Sequence, residues 1–191
     1  MPKTLGEQQG GWIILAGTIF TVVEEVVPYN PEQRRSWQEG GSWPHSHHFN
    51  FHEAVVAAHF TLLGYHVLWD YSSTGFGPNR PVARASSRLL HEVVGPDVSA
   101  FFLGDLADAT RGGSGQPDLF VFREDSSADP KVKYLDPRLW FFIEVKGPDD
   151  SVHSNQKAFW REVALRLGQD KIRLFRTVPD GTEYTPQPVQ Y

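Results

Sequence analysis

The sequence predicts a mixed α/β domain in which a central sheet is flanked by helices. Three observations carry that expectation. Pro117–Phe122 and Trp140–Lys146 contain apolar runs that read as buried strands. Stretches with helical apolar spacing, at 50–63, 82–94 and 154–167, alternate with strand-like ones. Gly- or Pro-bearing breaks separate one element from the next.

A chain of 191 residues is most simply one domain with a full core. With 40% hydrophobic and 21% charged residues it is not a disordered composition. The absence of cysteine excludes disulfides, zinc ribbons and thiol catalysis. No internal repeat or long low-complexity tract interrupts the reading.

Taken in order, the β-branched run Trp12–Val23 is too short for a membrane span and passes directly into Glu24–Glu25. Lys3 alone does not make the basic start of a signal peptide, so the run reads as one or two strands of a soluble, cytoplasmic protein. A short helix is expected from Pro31 to Trp37, broken by Gly40–Pro44. A helix from Asn50 to Leu63 closes at Gly64, and a strand follows from Tyr65 to Tyr71. Ser72–Arg80 is a loop, Val82–Val94 a helix stopped by Gly95–Pro96, and Val98–Leu106 is ambiguous. Arg111–Gln116 is a turn-rich approach to the Asp118 strand. The polar connection Arg123–Arg138, with two Asp-Pro steps, makes the Asp118 and Glu144 strands a hairpin. Gly147–Asp150 is a sharp exit loop, Ser154–Leu167 a helix ended by Gly168, and Lys171–Val178 a last strand. The expected organisation is an N-terminal extension (1–48) packed on a core (49–179), then a loose tail (180–191).

The chemistry gathers where the apolar strands end. Side chains alternate along a strand, so Glu144 and Lys146 share a face, and buried charges require partners or a metal. Asp118 opens the neighbouring strand. Alone, Asp118 reads as a turn residue, and Glu144 with Lys146 reads as a salt bridge or an edge charge. Together they are what metal-dependent phosphodiester cleavage requires. Two helices add polar groups to apolar stripes. Glu53 stands with Val56, Phe60 and Leu63, either as a site group or as a carboxylate favoured by the helix start. Gln156 stands with Trp160, Val163 and Leu167, either aimed at the Glu144 strand or simply a first-turn polar residue.

Pro117–Asp118, Glu144–Val145–Lys146–Gly147–Pro148, Asp150, and Gln156 with Trp160 resemble the PD-(D/E)XK nuclease superfamily, and within it VRR-NUC domains most. The similarity runs from near Gly115 to near Val178. It departs from the family in the long Asp118-to-Glu144 interval and in His153 at a capping position, and residues 1–48 match nothing in it. The resemblance implies a restriction-endonuclease-like core and a divalent-metal-dependent endonuclease on DNA that leaves 5′-phosphate and 3′-hydroxyl ends. Asp118, Glu144 and the Val145 carbonyl are then the hard oxygen ligands expected for Mg2+ or Mn2+, with Glu53 completing the shell. Lys146 and Gln156 complete the catalytic set. The alternative is a catalytically silent nucleic-acid-binding module on the same fold.

The net charge of −5 argues against a protein whose main work is coating nucleic acid, though not against a nuclease whose site concentrates carboxylates. Lys157 and Arg161, Lys131 and Lys133 with Arg138, and Arg80, Arg84 and Arg88 are candidate phosphate contacts, each also readable as a solvated face. The expected substrate is DNA, branched or structured forms included. Cutting both strands with one site makes a homodimer plausible. His45, His47, His48 and His52 form a weaker transition-metal candidate. Gly112–Gly115 lacks the Lys-Ser/Thr of a phosphate-binding loop.

Overall fold

In the computed structural model, residues 18–40, 50–75, 80–124 and 139–191 are described. Their elements run β1 (Thr21–Tyr29), α1 (Pro31–Gln38), α2 (Phe51–Leu62), β2 (His66–Leu68), α3 (Pro81–Phe101), a π-turn (Phe102–Leu106), α4 (Ala107–Ala109), β3 (Leu119–Phe122), β4 (Trp140–Lys146), α5 (Ser154–Leu167), a 3-10 turn (Gln169–Lys171), β5 (Ile172–Pro179) and β6 (Pro188–Gln190). The strands form one mixed sheet in the order β2-β3-β4-β5-β1-β6. β4, β5 and β1 are parallel to one another, whereas β2, β3 and β6 pair antiparallel with their neighbours. The mixed α/β architecture and the β3–β4 hairpin agree with the sequence reading. The fold is consistent with a restriction-endonuclease-like core.

Alternation along β3 and β4 splits the core between the two faces of the sheet. Phe120, Trp140 and Phe142 pack with Leu90 of α3, Phe102, and Phe159 and Trp160 of α5. Leu119, Val121, Phe141 and Ile143 pack with Val56 and Phe60 of α2. Glu144 and Lys146 therefore continue the Trp140–Phe142 row, on the face that α5 covers. Leu63, placed in the apolar stripe of α2 by its spacing, is instead the exposed C-terminal cap of that helix.

Several elements differ from expectation, each for a local reason. β1 continues through Glu24 and Glu25 to Tyr29, because β5 carries the matching cations: Arg173 Nε donates to Glu25 at 2.7 Å and Arg176 Nε to Glu24 at 2.9 Å. The part of the apolar N-terminal run before Thr18 lies outside the described residues. β2 is only three residues long, because the chain turns inwards after it and buries Tyr71. Gly95 does break α3 (φ 79°), but the helix resumes at Pro96, a residue well suited to a first helical position, and the ambiguous stretch beyond it is helical or π-helical. The tail is not loose. β6 pairs with Thr21–Val23 of β1, and Tyr191 packs against the rings of Phe20 and Trp160. A bare edge on β1 would present unpaired backbone groups, and this short strand covers part of it.

Candidate active site

The end of β4, the start of β3 and the first turn of α5 converge on a cleft of about 430 Å3, whose lining includes Asp118, Glu144, Val145, Lys146, Asp150 and Gln156. Glu144 is 1% exposed. Lys146 Nζ donates to Glu144 Oε1 at 2.7 Å and to Gln156 Oε1 at 3.2 Å. The Gln156 amide nitrogen also donates to Glu144 Oε1, while Gln156 Oε1 accepts the backbone N–H of His153 at 2.9 Å. Gln156 is thus a first-turn residue that also reaches the Glu144 strand: its oxygen caps the start of α5, which the spacing did not foretell, and its nitrogen touches Glu144.

Asp118 Oδ2 accepts the Val145 N–H at 2.8 Å. β3 begins at Leu119, opposite Ile143, so Val145 lies past the end of that ladder. The N–H and C=O of one strand residue point to the same side, which turns the Val145 carbonyl towards Asp118 as well. Beneath the site, Tyr71 Oη donates to the Pro117 carbonyl at 2.8 Å. Gln116 accepts from the N–H and the hydroxyl of Ser73 and donates to the Tyr71 carbonyl. Tyr71 and Gln116 fix the approach to Asp118. Neither was foreseen, since nothing in the local pattern marks a loop tyrosine as a support for a distant strand.

The electrostatics favour an added positive charge. Burial, and then the charge of Asp118, push the Glu144 carboxyl well above the usual range. Burial also raises Asp118, against the lowering effects of the Val145 N–H and of Lys146. Glu144 Oε2 is buried and meets no N–H or hydroxyl donor, and the Glu144 carboxyl shares a hydrogen bond with that of Asp118 that only a proton held between them can make. Unsatisfied acceptors and crowded carboxylates are costly when left alone and suit a hard cation. Among the described residues no three Asp, Glu or His side chains form a ready-made cage. Two carboxylates and a carbonyl nevertheless fit Mg2+ or Mn2+, ions that keep several waters and take their remaining ligands from substrate phosphates. The donor set therefore fits the group.

Glu53 is not in the lining of the cleft. Its carboxylate accepts from the Asn50 side chain and from the Asn50 N–H at 3.4 Å, forming a capping box at the start of α2. Burial, followed by the charge of Asp118, raises it to about 8, so it feels the site electrostatically. Lys157 and Arg161 are half-buried on α5, outside the cleft. Arg80 is paired with Asp70 at 2.6 Å. Lys131, Lys133 and Arg138 lie outside the described residues, as do His45, His47 and His48. His52, the remaining member of that histidine group, packs between β1 and β5, its Nδ1 lying 2.5 Å from Thr177 Oγ1. Burial, and then the charge of Arg34, lower its pKa.

Gly115 sets the distance between the β3 approach and α5. Its φ is +84°, and a Cβ there would lie 2.2 Å from the Asn155 carbonyl oxygen. Gly115→Ala is expected to lower the melting temperature, at a cost of about 2 kcal/mol or more, because left-handed strain and a backbone clash combine. A thermal melt checks this, and an unchanged midpoint would show that α5 can retreat freely.

The family model of the VRR-NUC domain matches residues 71–169, just over half of the chain. The chain belongs to the VRR-NUC family. Its domain is thus a nuclease domain of the PD-(D/E)XK type. The match covers β3, β4 and α5, the elements that build the cleft. No curated protein and no solved structure matches the chain. Among the described residues no helix is long and apolar enough to cross a membrane.

Proposed function

We propose that this VRR-NUC protein is a divalent-metal-dependent endonuclease that hydrolyses DNA phosphodiester bonds. The observation that carries the reading is the meeting of Asp118, Glu144 and Lys146 at one cleft, with the Lys146 ammonium 2.7 Å from one oxygen of Glu144 and the Asp118 carboxyl against the same group. Asp118, Glu144 and the Val145 carbonyl would hold Mg2+ or Mn2+; Glu53, whose carboxyl is raised to about 8 without metal, would add negative charge and, on rearrangement of its capping box, a further oxygen only once the cation draws off its proton. When bound, the cation supplies a Lewis acid that acidifies water and neutralises charge on the scissile phosphate.

The protein's own groups do the rest. Lys146 places a positive charge where negative charge grows on the phosphate oxygens. Gln156, already anchored at both ends of its amide, orients the attacking water or a phosphate oxygen. Lys157 and Arg161, with Lys131 and Lys133, guide the backbone of plain or branched DNA. The same reading allows a homodimer for cutting both strands, and a cytoplasmic location. A plasmid-nicking assay with Mg2+ or Mn2+ tests it: cleavage that disappears in Lys146→Ala supports it, whereas DNA binding without cleavage by the natural sequence overturns it.

A further inference from the structure

We propose that Arg176 is a positioning residue, fixing the turn 147–150 at the rim of the cleft, and that the C-terminal segment holds it in place through Glu24. The catalytic part of this inference rests on the nuclease reading; the structural part does not. Arg176 is 7% exposed in the middle of β5. A guanidinium so deeply placed must find partners for its donors. Its Nε and Nη2 both donate to Glu24 Oε1, at 2.9 and 2.7 Å. Nη1 donates to the carbonyls of Gly147 at 2.5 Å and Pro148 at 3.0 Å, and Nη2 to that of Asp150 at 3.0 Å.

The turn held this way begins immediately after Lys146, and Asp149, Asp150 and Ser151 line the cleft. Within it, the Gly147 N–H donates to Asp150 Oδ2 at 2.8 Å and the Asp150 N–H to the Gly147 carbonyl at 3.3 Å. Glu24 is itself held on its other oxygen by the Tyr184 hydroxyl and by the Gln187 N–H at 3.2 Å. The Tyr184 ring faces the guanidinium, 5.6 Å from centroid to Cζ. Residues 24, 147–150 and 184–187 thus meet at one cation.

A buried ion pair is a weak source of stability, since a well-packed apolar pair often does as well. What arginine adds is geometry. Its planar fork fixes several carbonyls in direction at once, which a lysine point charge does not. A change in the Gly147 carbonyl therefore shifts the backbone that carries Lys146.

The test uses the full chain and three variants, Arg176→Lys, Glu24→Gln and Tyr184→Phe. In Arg176→Lys, amide hydrogen exchange at Gly147 and Asp150 is expected to quicken by about tenfold or more, with Phe142 in the core unchanged, as the loss of charge-assisted hydrogen bonds implies. For cleavage, kcat is expected to fall about tenfold with KM nearly constant, and less in Glu24→Gln, which keeps an acceptor for the guanidinium. Unchanged exchange at both amides overturns the proposal. So does acceleration that is equal at Phe142, which would make Arg176 a residue of global stability only. Should Arg176→Lys fail to fold, Tyr184→Phe, which removes one hydrogen bond to Glu24, carries the same comparison. Should the natural sequence not cleave DNA, the nuclease reading fails and the exchange data alone decide whether Arg176 fixes the turn 147–150.

Discussion

Lys146→Ala is expected to slow DNA cleavage by about 100- to 1,000-fold, the usual cost of removing one preorganised charge from the reacting centre. The fold should survive. In the natural protein Lys146 partly offsets the desolvation and the Asp118 charge that push the Glu144 carboxyl upwards. Without the ammonium, Glu144 answers by holding its proton rather than by unfolding the sheet, because a buried carboxyl neutralises more cheaply than it stays charged. The variant should therefore melt cooperatively while its initial nicking rate with Mn2+ collapses. Full activity in a folded Lys146→Ala protein would contradict the role given to this residue.

The second large effect is a dependence of metal-free stability on pH. Asp118, Glu144 and Glu53 all have folded-state pKa values above the ordinary carboxylate range, Glu53 at about 8. A carboxyl raised on folding binds its proton more tightly in the folded state. Its stabilising effect is therefore complete below its ordinary value and is lost as pH rises through its folded value. For Glu53 that window runs from 4.5 to about 8. His52 and His91, both lowered by burial, act in the opposite sense and cost stability as pH falls below their ordinary 6.5. Glu24, held down by Arg176 and Tyr184 against the effect of burial, also loses stability on acidification.

The clean measurement is accordingly a difference. Chemical denaturation of the natural protein and of Asp118→Asn, both free of divalent metal, should diverge as pH rises from 5 to 8. The variant should become the more stable of the two, since it removes one of the crowded charges. Saturating Mn2+ should cancel the gap by binding only the folded, ionised natural site. Parallel pH curves without metal would show that these carboxylates do not burden one another.

How much of this was legible in the sequence depended on how local the cause was. Caps and breaks at Asn50, Gly64 and Gly168, and the alternation along Trp140–Lys146, act over a few residues, so α2, β4 and α5 lie where the pattern puts them. Strand alternation put Glu144 and Lys146 on one face, but Gln156 joined them only through the combination of motifs and the family resemblance, since its own spacing also suits a plain first-turn residue. β1 was cut short in the reading because Glu24 and Glu25 look like a strand's end, and the arginines that justify them lie about 150 residues away, on β5. The C-terminal segment read as loose because its order comes from Glu24, Phe20 and Trp160 rather than from its own sequence. Tyr71 and Gln116 were hidden for the same reason. Arg176 offered a faint signal, one of two arginines within a largely apolar strand, but its partners were not deducible.

Calorimetric titration of Mn2+ into the natural protein, Asp118→Ala and Glu144→Ala at pH 7.5 tests the central claim most directly. One site is expected in the natural protein, weakened by about tenfold or more in each variant, as loss of a direct ligand requires. Equal affinity in all three proteins would mean that the cleft at the end of β4 does not hold the cation.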